Sequence, residues 1–101
     1  MADRPDAAFT ALQAVVDEIT FIAFVHTLAM DRSAAVAAEA SAPSSLWGPD
    51  SRGWENVTIE DFLESASAWA SQSRNGLVAY SPPHSPWRRC ADILYAGKHY
   101  E

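Results

Sequence analysis

The chain has one cysteine, Cys90, among its 101 residues, four glycines, and only seven lysines and arginines against thirteen acids. A lone cysteine allows no intrachain disulfide and no all-cysteine metal cage, and it suits a reducing, cytoplasmic setting. The shortage of bases leaves a net charge of −6. Most of such a surface would repel a phosphate backbone, so no nucleic acid is expected as a partner. Long apolar runs are missing as well. The longest, Ile19 to Met30, covers twelve residues and is broken by His26. A span needs about 20, so no membrane segment is expected. The opening stretch, Met1-Ala2-Asp3-Arg4-Pro5-Asp6, is acidic where a secretory signal needs a basic region.

The usual catalytic frameworks are absent too. The chain contains no Gly-x-Gly-x-x-Gly, Walker loop, Gly-x-Ser-x-Gly or Cys-x-x-Cys. His26, His84 and His99 are separated by 57 and 14 intervening residues, so no two imidazoles share a helical face at the spacing that holds a metal. Neither an enzyme nor a metal or other cofactor is expected.

What is present is the composition of an ordinary folded protein, 49% hydrophobic and 20% charged, in one domain spanning residues 1–101. The charge is uneven. Residues 1–73 carry three arginines against eleven acids, and residues 74–101 carry four bases against Asp92 and Glu101, so −8 is followed by +2.

The apolar period is helical. Phe9, Leu12, Val15 and Val16 share a face of a short helix or arm within residues 1–16. From Ile19 to about Ala40 a longer helix carries an unusually wide apolar face, with Ile19, Ile22 and Ala29 beside Phe21, Phe24, Val25 and Leu28, until Pro43 stops it. Residues 41–57 gather proline, glycine and serine into a long loop, which Leu46, Trp47 and Trp54 should pin down. A third helix opens on Thr58 as N-cap with Asp61 three residues on, buries Ile59, Phe62, Leu63, Ala66, Trp69 and Ala70, and stops at Asn75-Gly76. The last starts with Ser85 as N-cap and Pro86 in the first turn, and Trp87, Cys90, Ala91, Leu94 and Tyr95 line one face. Cys90 and Trp87 therefore read as core. The fold class is all-α, a small three- to four-helix bundle with a long tryptophan-bearing loop.

Several stretches together resemble a small bacterial domain family of unknown function: Gly53-Trp54-Glu55-Asn56, Thr58-Ile59-Glu60-Asp61-Phe62-Leu63-Glu64, Trp69, Pro86-Trp87-Arg88-Arg89, Ala91-Asp92-Ile93-Leu94-Tyr95-Ala96-Gly97-Lys98 and Tyr100-Glu101. The likeness also takes in Phe21 to Asp31. It implies a compact, mostly helical, intracellular bacterial domain and no assigned activity.

The functional expectation is a non-enzymatic protein-interaction module, for example an immunity or regulatory protein. Trp47 and Trp54 either cap the core or stay partly exposed as anchors for a partner, and in the second case Glu55, Glu60 and Glu64 would join them in an aromatic-acidic patch for a basic or mixed-charge protein. The width of the Phe21/Phe24/Val25/Leu28 surface also suits a homodimer. The alternative is a small-molecule or peptide binder with an aromatic pocket between helices, lined by Trp47, Trp54, Trp87 and Tyr95, where Arg88 and Arg89 would hold an anion.

Overall fold

A computed structural model describes residues 6–45 and 48–100. Its elements are α1 (Ala7–Gln13), α2 (Glu18–Ser41), a single 3-10 turn (Ser51–Gly53), α3 (Ile59–Ser73) and α4 (Pro86–His99). The described residues form an all-α bundle, with no strand beyond two isolated bridges.

Each α-helix is started by a side chain that takes up an otherwise unpartnered N–H, an arrangement worth about 1 kcal/mol per cap. Asp6 accepts from the Phe9 amide at 3.0 Å, Thr58 from Asp61 at 3.1 Å, and Ser85 from Arg88 at 3.3 Å with Pro86 in the first turn. Asp17 and Thr20 cap reciprocally, each accepting from the other's amide. The Thr20 hydrogen bonds hold the Asp17 carboxyl below its ordinary pKa. This box separates α1 from α2. The first helix is therefore shorter than the apolar period suggests: it stops at Gln13, Val15 is buried in the link, and Val16 is exposed.

Beyond α3, Gly76 adopts φ +95°, the left-handed conformation that ends helices, and its amide donates to the Ser73 carbonyl. Leu77 and Tyr80 then exchange backbone hydrogen bonds across a tight turn.

The final helix is the centre of the molecule. It packs on α1, α2 and α3, and its buried residues Ala91, Asp92, Ala96, Gly97 and Lys98 lie around much of its circumference. Closest approach is to α3, where a Cβ on Gly97 would sit 3.0 Å from both the Phe62 carbonyl oxygen and its ring. The core is built of Ala8, Leu12 and Val15 from the N-terminal segment, Phe24, Leu28 and Ala35 from α2, and Trp54 and Ala91.

On α3 and α4 four residues expected in the core are not there: Ile59 is 76% and Leu63 56% exposed, and two residues of α4 are also outside. Cys90 is exposed. Trp87 is 37% exposed, with one contact to the Phe21 ring at 5.5 Å. A helix surrounded by neighbours has no single apolar stripe, and the polar residues Asp92 and Lys98 occupy the inward positions instead.

Candidate functional site

The most constrained polar assembly joins α2, the loop and α4. Asp31, 4% exposed, receives the Lys98 ammonium at 2.8 Å and the Trp54 indole N–H at 2.9 Å on one oxygen, and the Arg52 Nε at 2.5 Å on the other. Burial alone would raise its pKa. The Lys98 and Arg52 hydrogen bonds, the charge of Lys98 and the Trp54 N–H outweigh that, and the carboxyl sits below its ordinary value. Arg52 reaches it from a left-handed backbone, φ +64°, a conformation unfavourable for a side-chain-bearing residue and maintained here by the ion pair. The same loop is fastened to the end of α4: the Glu55 and Asn56 amides donate to the Lys98 carbonyl, and the Asn56 side chain donates to the carbonyls of Gly97 and Tyr100. Every polar group named here is partnered within the chain, which makes this a structural joint.

Beside the joint lies a cleft of about 320 Å³ between α2 and α3. Val25, Leu28 and Ala29 line it from α2, Ile59 and Phe62 from the start of α3, and Val57 and Trp54 from the segment before it. Trp54 is fixed by Phe62, stacked at 6.1 Å, and by Arg32 and Lys98, whose cations lie 5.4 and 5.5 Å from its centroid. Of the lining residues Ile59 is 76% exposed, and Leu63, four positions on along α3, is 56% exposed. Next to them Glu60, Asp61 and Glu64 are exposed and form no salt bridge among the described residues. From Val25 the apolar surface continues along the outer side of α2 through Ile19, Ile22, Met30 and Val36, all half-exposed or more.

The expected site residues are thus distributed unevenly. Trp47 lies outside the described residues. Trp54, at 4% exposure, is core and cannot serve as a protruding anchor; it forms part of a cleft wall. Its indole found a partner, Asp31, 23 positions back in the chain, which no local pattern announces. Glu55, Glu60 and Glu64 are exposed, as a surface patch requires. Arg88 and Arg89 are half-buried and engaged: Arg88 donates to Asp92 at 2.9 Å, and Arg89 donates to Ser73, to the Tyr80 hydroxyl and to the Ala70 carbonyl while lying over Trp69. Arg89 consequently fastens α3 to α4. The expected aromatic pocket of Trp47, Trp54, Trp87 and Tyr95 does not assemble from the described members, because Trp54 and Tyr95 line different cavities and Trp87 lines neither. Among the described residues, no three His, Cys, Asp or Glu side chains gather as metal ligands would.

Residues 17–101 match the model of DUF7660, a family of unknown function, and the chain belongs to that family. No curated protein and no solved structure matches it. The matched span begins at the capping Asp17, so α1 precedes it.

Proposed function

We propose that the chain is a non-enzymatic interaction module that takes an amphipathic protein segment, apolar on one side and flanked by basic residues, into the α2–α3 cleft. The observation that carries this is Ile59: a large apolar side chain left 76% exposed at the mouth of an apolar cleft, beside three acids without ionic partners among the described residues. Exposed apolar groups bordered by charge are the usual composition of a docking surface. The acids supply long-range attraction for a basic partner and make the association salt-dependent. An immunity or regulatory protein acting in the bacterial cytoplasm is one concrete form of such a module.

The test uses a defined probe, an amphipathic leucine–lysine helical peptide of about 18 residues followed by fluorescence anisotropy. Binding should weaken at least about tenfold between low and high salt and in the Glu60→Lys/Glu64→Lys variant, and Ile59→Asp should abolish it. Binding indifferent to Ile59→Asp, or none at low salt, overturns the reading. The α2 stripe favours a second occupant, another copy of the chain. Light scattering would show a dimer that Ile22→Glu dissociates.

A further inference from the structure

On the opposite flank of α4 lies a second cavity, about 480 Å³, which the interaction surface does not use. Two sets of aromatic rings form its sides. One runs from Phe9 on α1 to Tyr95 and His99 on α4, with centroid separations of 5.9 and 5.2 Å. The other is Trp69 on α3 edge-on to Tyr80 at 4.8 Å. All five line the cavity, as do Arg88 and Asp92.

Most of the polar groups here are already satisfied. The Tyr95 hydroxyl donates to Asp6, and that of Tyr100 to Gln72. The buried Asp92 carboxylate accepts from Arg88 on one oxygen and from the Tyr80 hydroxyl, at 2.6 Å, on the other. Burial, then the bond to Asp92, raises the Tyr80 pKa, so this hydroxyl stays protonated and its donation to the carboxylate persists at neutral pH. Arg88 uses only Nε among the described residues, and the exposed His99 ring makes no hydrogen bond there. Arg88 pairs directly with the Asp92 carboxylate, and Arg89 bonds the far side of the Tyr80 hydroxyl. Arg88 therefore keeps N–H groups, and His99 its ring nitrogens, for a guest between the ring faces, with the carboxylates of Asp6 and Asp92 already bonded to Tyr95, Tyr80 and Arg88.

We infer that this groove is a binding site for a small planar aromatic anion, its ring held between Phe9/Tyr95 and Trp69/Tyr80 and its carboxylate or phosphate met by Arg88 and His99. The volume falls in the range of small-ligand pockets. A guanidinium with free N–H groups is the side chain best suited to either anion. The Phe9 wall comes from α1, outside the residues matched to the family, so the groove in this form depends on a segment the matched span does not supply.

Indole-3-acetate and adenosine monophosphate represent the two sources of such a ligand, and the neutral rings indole and adenosine are their controls. Thermal unfolding at about 2 mM probe, with NMR of the Trp69 indole N–H, should show an upward shift of about 3 °C or more and a moved resonance for at least one anion and for neither neutral ring. Binding of indole-3-acetate alone identifies an aromatic acid, and binding of the monophosphate alone a nucleotide. Affinity should fall at least about tenfold in Arg88→Gln and in Phe9→Ala. Should Arg88→Gln fail to fold once Asp92 loses its partner, His99→Ala, a change at an exposed residue, must show the loss instead. Absence of binding by both anions, equal binding by the neutral rings, or affinity unchanged in folded Phe9→Ala and His99→Ala would each overturn the inference. The leucine–lysine peptide should bind Phe9→Ala as it binds the parent, which separates this site from the cleft.

Discussion

Lys98 and Asp31 meet at 2.8 Å with both side chains almost wholly withdrawn from water, one near the end of α4 and the other midway along α2. A charge so placed costs little only while its partner is present. Removing Asp31 strands a buried ammonium, and Asp31→Asn should destabilise the protein by about 3–5 kcal/mol. Asp31→Leu/Lys98→Met, which removes both charges, should lose clearly less than the sum of the single changes. Urea unfolding of the four proteins gives the coupling directly, and additive losses would show that the pair is not the joint described above.

Acid should undo the same joint. Asp31 and Asp17 both titrate lower in the folded chain than the ordinary value, so their contribution is complete above about pH 4 to 5 and disappears as pH falls through the folded values. The midpoint of thermal unfolding should be level from pH 7 to about 5 and then decline. Asp31→Asn should flatten that decline. At the alkaline end the sign reverses. Tyr95 and Tyr80 are raised by burial and by bonds to Asp6 and Asp92, so stability should decrease as pH rises past about 10.

At Gly97 two effects oppose each other. Alanine is ordinarily the better helix former by up to about 1 kcal/mol. Here the added methyl meets the Phe62 backbone oxygen at 3.0 Å, an atom that cannot rotate away. Overpacking of this kind costs about 1–3 kcal/mol, so Gly97→Ala should be destabilising on balance. A higher melting temperature in the variant would contradict the close packing of α3 on α4.

Cys90 offers a rapid check on the orientation of α4. Being exposed, it should react with a thiol reagent in the native protein at nearly the rate seen in denaturant. Strong protection would mean that the helix is rotated from the position described.

Sequence patterns located the helices well where their signals are local. Thr58, Ser85 with Pro86, and Gly76 mark their boundaries by backbone chemistry that acts over three or four residues. The wide face of α2 also proved meaningful: Phe24 and Leu28 go inward, whereas Ile19, Ile22 and Val25 remain outside. Pattern reading failed where distant residues decide. Trp54 stands among polar neighbours in a loop, which leaves core cap and surface anchor both open until Asp31 provides for its N–H. No local pattern gives Lys98 a partner, because that partner lies 67 positions earlier. The exposure of Glu60, Asp61 and Glu64 was legible, because charges in a first helical turn are solvated and local. The Phe9–Trp69 groove was not, because three helices must assemble before its walls face one another.

The sixty-seven-residue separation of the central ion pair also has a consequence for synthesis. As α2 leaves the ribosome, its carboxylate must remain hydrated, because neither the lysine nor the helix that carries it has yet been translated. At about 5–20 residues per second the nascent chain spends several seconds in that incomplete state, with the outer side of α2 fully bare. Closure of the joint therefore waits until α4 has been made, and until then α2 lacks one of the two helices it packs against.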